Sequence, residues 1–321
     1  MQRSLVYATQ GYKAGAGFPS GPFTIWRANV DGSHPVAIGS GRDPQLSPDG
    51  REVAYANGEL YLIPVRGGKP RRLTSSYRGS GDVYGTGFSW VPDSRHLVVY
   101  YDRGSYPDNK EFADLVDVAN GSRRRLPGST PKLLASSRFS LSPDGRSAVF
   151  AATSPYGQDL HVTDLRSGRT RLLTKHDSYG ASPVWGPKWI AFSEGHEIWL
   201  ISANGKHLHQ LGSGYSFGRP LAWSAGGRRL LVETVNAPPN PNLSGVSPIV
   251  PFQVVDVPSG RAEGYVNASL LAPSRDGSVA LVNTCTSTPT RASGSIAIAK
   301  LPRGKPHAIS SGYACAASWN R

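Results

Sequence analysis

The sequence has 321 residues, 35 Lys and Arg against 22 Asp and Glu, a formal net charge of +13 and a pI near 9.9. Charged residues make up 18% and apolar residues 38%, with 37 Gly and 26 Pro, a mix that suits many short strands joined by tight turns and argues against disorder. No apolar run approaches the roughly 18 residues of a membrane helix, and the first ten residues lack the apolar region of a signal peptide, so the chain reads as soluble, either cytosolic or the mature form of an exported protein.

Taken in order, the chain opens in the middle of a repeat. SLVYA at 4–8 reads as a second strand, and FTIWRANVDGSHPVAI at 23–38 supplies a third and a fourth. QLSPDGREVAYA at 45–56 then sets the pattern of strand, tight turn and strand, and LYLIPVRGGKPRRLT at 60–74 adds a third strand, a Gly-rich turn and a basic fourth strand. The same unit returns as FSWVPDSRHLVVY (88–100) with LVDVANGSRRRL (115–126), and as FSLSPDGRSAVFA (139–151) with LHVTDLRSGRTRLLT (160–174). Weaker copies begin at 183, 221 and 271, each followed by its own third and fourth strands. The chain ends in mid-repeat with ACAASWNR at 314–321, and this run joined to MQRSLVYA aligns with FSLSPDGRSAVFA. A period of roughly 40–50 residues is that of four-stranded propeller blades. Six internal copies plus the composite of the two ends predict one all-β domain over 1–321, a seven-bladed β-propeller whose C-terminal strand completes the N-terminal blade. Six blades is the alternative, if the copy at 183–211 is only an extra hairpin.

The turn chemistry is structural. Pro fixes φ at the second turn position, Asp accepts from backbone amides ahead of it, and Gly takes positive φ. Ser47-Pro48-Asp49-Gly50-Arg51 and Ser142-Pro143-Asp144-Gly145-Arg146, each followed by an apolar strand, a Gly turn and R-x-L-T, resemble the TolB-like propeller repeat along essentially the whole chain. The resemblance implies a fold with diverse uses. TolB itself carries an N-terminal α/β domain and prolyl oligopeptidases a hydrolase domain, neither of which has a counterpart in this sequence. Oligogalacturonate lyases resemble a catalytic form of the bare propeller.

In a blade, the first-to-second and third-to-fourth turns share one end, and these are short throughout. The other connections are read as long and variable, including 9–22, 75–85, 102–111, 175–182, 212–219, 235–251 and 284–294. Long loops on one end of a rigid scaffold are where binding residues concentrate. Their aromatic and basic side chains give the candidate binding set Tyr12, Asp43, Tyr84, Tyr106, Arg138, Tyr179, Tyr215, Phe217 and Arg219, with Asp43 and Arg138 placed near the channel mouth. Tyr and Arg suit recognition of a protein or an acidic glycan.

The positive excess lies on outermost strands: Lys69, Arg71, Arg72, Arg123, Arg124, Arg125, Arg169, Arg171, Lys206 and Lys305. There it blocks edge-to-edge pairing, with contact to an anionic envelope surface as the alternative reading. No nucleic-acid motif accompanies it.

Chemistry is sparse. Gly214-Tyr215-Ser216-Phe217-Gly218 matches a nucleophile elbow but sits in a propeller loop. His207 and His209 imply no third metal ligand, and no metal or cofactor is expected. Arg138, His176 and Tyr179 supply the cation and the base that a lyase acting on an acidic sugar would need, and they are the candidate catalytic set of that rival reading. Cys285 and Cys315 are either a disulfide latching the seam or two free thiols; a disulfide would imply an oxidising compartment. The expectation is a monomeric, exported, extracellular or periplasmic binding propeller, with a cytoplasmic location as the alternative.

Overall fold

The computed structural model describes residues 4–12, 19–74, 87–103, 110–126, 139–154, 157–174, 182–212, 217–234, 249–274, 276–284, 286–287, 292–310 and 313–319. The apolar runs are short, and each is ended by a Gly, Asn, Asp or Pro turn, so strands replace helices: the described residues hold seven four-stranded sheets and no α-helix. The first blade joins the chain ends, with Tyr313–Trp319 innermost, then Ser4–Tyr12, Pro19–Asn29 and Val36–Ser40. The second runs Arg42–Leu46, Glu52–Asn57, Glu59–Pro64, Arg71–Arg72, and the third Gly87–Trp90, His96–Arg103, Lys110–Asp117, Arg123–Arg125. The fourth is Phe139–Leu141, Ser147–Ser154, Gly157–Asp164, Thr170–Leu172, and the fifth Val184–Trp185, Ile190–Glu194, Glu197–Ile201, His209–Gln210. The sixth is Phe217–Ser224, Arg229–Thr234, Phe252–Asp256, Arg261–Val266. The seventh is Ser269–Pro273, Val279–Asn283, Ile296–Lys300, His307–Ala308, with a small hairpin of Thr286–Ser287 and Ala292–Ser293 inserted after its second strand. This is an all-β seven-bladed β-propeller, and the copy at 183–211 is a blade in its own right. The closing strand pairs antiparallel with the opening one, Leu5 opposite Trp319 and Tyr7 opposite Ala317.

The chain falls into two compact units: Met1–Ser75 with Asn236–Val254 and Ala262–Arg321, and Ser76–Val235 with Val255–Arg261. In the first unit, Leu5 and Tyr7 pack on Ala272, Leu281 and Ile296 of the seventh blade, while Val6 faces the other way, onto Leu46, Val53 and Ile63 of the second. In the second unit, Ile190 and Phe192 pack on Val149, Leu160 and Val162 of the fourth blade, and Ala191 packs with Leu230 and Val232 of the sixth. Each middle strand is therefore buried on both faces, which is why these strands read as continuous apolar runs rather than as alternating ones.

Neighbouring innermost strands are also tied by serine hydroxyls. Ser318 Oγ accepts the Leu46 amide at 2.8 Å and donates to the Pro44 carbonyl at 3.1 Å, and Ser140 Oγ accepts the Trp185 amide at 2.9 Å.

The Ser-Pro-Asp-Gly turns close as their chemistry demands. Ser142 Oγ donates to Asp144 at 2.6 Å and accepts the Ser147 amide at 2.9 Å, and the Arg146 amide donates to Asp144 at 3.0 Å. Ser47 with Asp49 and Ser274 with Asp276 repeat the arrangement. The Ser142 hydroxyl, followed by the Arg146 amide, holds the Asp144 carboxyl below its ordinary pKa. A depressed folded-state value adds stability that is complete above the unfolded value of about 3.9 and is lost as pH falls through the folded one. The urea midpoint of Asp144→Asn should accordingly fall less between roughly pH 4 and pH 2.5 than that of the parent. Equal slopes in a pH series of unfolding curves would contradict this.

Candidate functional site

The first-to-second turns of the second to seventh blades and the third-to-fourth connections of all seven share one end, and each is seven residues or shorter. The opposite end carries the long connections, but not in every blade. Asn57 and Glu59 pair across Gly58 alone in the second blade, and Glu194 pairs with Glu197 in the fifth. Ser154 pairs with Gly157 in the fourth, so the reading of the second-to-third connections as long and variable is corrected in these three blades; Gly58 and Gly195, with φ of 73° and 60°, permit the hairpins of the second and fifth. Residues 13–18, 75–86, 104–109, 127–138, 175–181, 213–216 and 235–248, and Cys285, lie outside the described residues. Tyr84, Tyr106, Arg138, His176, Tyr179 and Tyr215 are among them. Tyr12, Phe217 and Cys315 sit in strands, with side chains outside the description. Two proposed binding residues are described in full, Asp43 and Arg219.

Asp43 stands at the start of the innermost strand of the second blade, at the long-connection end. Arg42 pairs with Ala56 and Gln45 with Ala54, so one extra residue is fitted between them and the strand bulges at Asp43-Pro44. Asp43 has φ of 52°. The other non-glycine residues with positive φ among the described residues, His34, Ser94 and His207, lie outside strands. The bulge is held from both sides: Ser318 grips Pro44 and Leu46, and a Cβ on Gly41 would sit 2.4 Å from the Tyr55 ring, so only glycine lets that tyrosine pack against the chain. Arg42 lies with its guanidinium 5.4 Å from the Phe23 ring centre. The Asp43 side chain is exposed, with no hydrogen bond or ion pair to a described residue. It is nonetheless hemmed in by protein atoms: desolvation raises the carboxyl pKa, and the nearby Arg42 charge opposes the rise.

Arg219 lies in the innermost strand of the sixth blade, directly after Gly218. Its Nε lies 2.5 Å from Glu233 Oε2. Gly218 makes room for this pair, since a Cβ there would meet the Glu233 Cβ and Cγ at 3.0 Å. Arg219 is thus a partly buried cation with an ion-pair partner in its own blade.

The basic side chains fall on or beside outermost strands as expected, and those from Lys69 to Lys305 are exposed. Several also clasp neighbouring strands and blades. Arg124 donates to the Leu165 carbonyl and Arg171 to that of Ala203, each reaching from one blade to the next, and Arg303 does the same to Glu263 at 2.7 Å. Arg125 meets the buried Asp114 at 2.6 Å within the third blade. These contacts explain a preference for Arg over Lys, because a guanidinium can reach a carbonyl and keep further donors in water. His207 and His209 flank Trp189 edge-on, at 6.5 and 5.0 Å. Among the described residues no group of three His, Cys, Asp or Glu could hold a metal ion, and no helix is long and apolar enough to cross a membrane.

No family model matches the chain. The uncharacterized peptidase YuxL of Bacillus subtilis is 26% identical over 179 residues, 53% of this chain and 24% of that protein. The uncharacterized protein Atu1656 of Agrobacterium fabrum is 26% identical over 182 residues, 52% of this chain and 57% of that protein. The match therefore involves about half of this chain and less than two thirds of either relative. Among solved structures, TolB from Acinetobacter baumannii superposes with a TM-score of 0.52 at 17% identity, over 99% of this chain and 66% of that one. An oligogalacturonate lyase in complex with manganese gives 0.61 at 16% identity, over 95% and 84%. The fold is a TolB-like β-propeller.

Proposed function

We propose that the chain is a non-catalytic binding propeller that takes a protein or glycan partner on the long-connection end of its blades. One observation carries the reading: the connections at one end of the blades are all seven residues or shorter, whereas the longest connections, several of which carry Tyr and Arg, join strand ends at the other. Such an end offers large amphipathic contact area on a rigid base. Likeness to TolB supports protein binding, and an exported, extracellular or periplasmic, monomeric protein fits that reading. The partner is an envelope protein or an acidic glycan. The basic outer strands protect edges and clasp blades, and they are not assigned a nucleic-acid partner.

Capture from the envelope fraction of the source cells tests this. The parent chain should retain a partner that a variant with Tyr84, Tyr106, Tyr179 and Tyr215 changed to Ala loses by tenfold or more, with an unchanged melting temperature; equal capture would overturn the reading. The likeness to oligogalacturonate lyase favours one rival, a lyase using Arg138, His176 and Tyr179. Incubation with polygalacturonate is expected to give no ultraviolet rise from unsaturated products; a rise abolished by His176→Ala would establish the enzyme instead.

A further inference from the structure

We propose that Asp43, displayed by the bulge at the head of the strand Arg42–Leu46, is the contact that takes a basic side chain of a partner polypeptide. The inference rests on the binding reading above and names the chemistry of the group bound. A non-glycine residue with φ of 52° directly before a proline is doubly disfavoured, because the proline ring crowds the backbone of the residue it follows. Such strain persists only where the surroundings over-determine it. Here they do, through Ser318 on the closing strand and Tyr55 packed on Gly41. His34, Ser94 and His207 need no further reason for positive φ, since each serves a chain reversal between strands. Asp43 reverses nothing. What its bulge achieves is to turn one carboxylate out of the ladder, exposed and without a hydrogen bond or ion pair to a described residue.

The ligand class follows from what surrounds the carboxylate. A divalent metal would need several oxygen ligands, and no second or third acidic group joins Asp43 among the described residues. One carboxylate can make a single strong charge-assisted pair with an ammonium or guanidinium group. The Arg42 guanidinium lies 5.4 Å from the Phe23 ring centre, and its charge favours the ionised form of the Asp43 carboxyl that such a pair requires. In a chain of net charge +13, an exposed acid at the long-connection end selects against anionic ligands at that spot.

The test is a titration of the isotopically labelled full chain with the capped tripeptide acetyl-Gly-Arg-Gly-amide, read by amide resonances of residues 41–43, 45 and 46. The arginine peptide should shift these resonances and bind at least tenfold more tightly than its citrulline counterpart. Asp43→Asn should weaken it at least tenfold. Asp43→Gly should abolish the effect while leaving the melting temperature unchanged or raised, because glycine accepts φ of 52° without strain. A residue present only for structure would instead lose stability with the change to glycine. Equal binding of the citrulline peptide, binding unaffected by Asp43→Asn, or shifts at these residues produced only by chitotriose would overturn the proposal. None of those results would touch the loop-tyrosine capture experiment, whose failure is separate and would remove the binding reading itself.

Discussion

Removal of Tyr313–Arg321 is expected to leave a chain that melts at least 10 °C lower or fails to accumulate as soluble protein. In the first blade the strand Ser4–Tyr12 is paired on one side with Pro19–Asn29 and on the other with Tyr313–Trp319, so truncation strips one complete ladder from it. The residues exposed by the loss are core residues. Leu5 and Val6 have 0% and Tyr7 3% of their surface accessible. Truncation also removes Ser318, whose hydroxyl serves both the Leu46 amide and the Pro44 carbonyl of the second blade. A newly opened edge invites pairing between molecules as well, so lost stability is compounded by aggregation. Several kcal/mol out of a total that seldom exceeds about 15 is enough to unfold a domain. Calorimetry on the truncated and parent chains checks this, and rescue by a synthetic peptide of residues 311–321 should restore part of the transition. An unchanged transition would mean that the ends do not share a load-sharing sheet.

Phe192→Ala is expected to cost about 3–5 kcal/mol, the range for deleting a buried aromatic ring. Phe192 is 0% accessible, in the second strand of the fifth blade, and packs in one cluster with Val149, Leu160, Val162 and Leu173 of the fourth. Both neighbours of the vacated space are strands fixed by their own ladders, so the cavity cannot close by local collapse. The effect should appear as a lower urea midpoint with an unchanged slope. A loss under about 1 kcal/mol would show that the weak copy at 183–211 packs less tightly than the clusters around it imply.

Much of the architecture was legible because the blade is written in the sequence as a repeat. The composite first blade could be read from ASWNR joined to MQRSLVYA, and the pairing of Leu5 with Trp319 bears this out. The fifth blade is the least regular copy, since its first turn, Gly186-Pro187-Lys188, lacks both the Ser and the Asp of Ser47-Pro48-Asp49 and Ser142-Pro143-Asp144; it forms four strands regardless. The tight hairpin at Asn57-Gly58 also had a signal, an Asn-Gly pair between apolar runs, which the expectation of long loops overlooked. What could not be read is of a different kind. Arg124 reaches the Leu165 carbonyl 41 residues away, and Arg171 reaches Ala203 at a separation of 32, contacts set by the placement of successive blades and not by any local pattern. The pairing of Arg219 with Glu233 depends on the absence of a Cβ at Gly218, a clue visible only once the strands are in register. The sequence places Asp43 near the channel mouth but hides its left-handed backbone, because Arg-Asp-Pro reads as an ordinary approach to a turn.

The most direct measurement of the binding claim is site-specific photocrosslinking in the source cells. A benzoylphenylalanine placed at Tyr84, Tyr179 or Tyr215 should yield one discrete adduct with the partner, whereas the same group at Asn120 or Asn204, on the short-turn end of the third and fifth blades, should yield none. Adducts formed from Asn120 or Asn204 and absent from the three tyrosine positions would contradict the account.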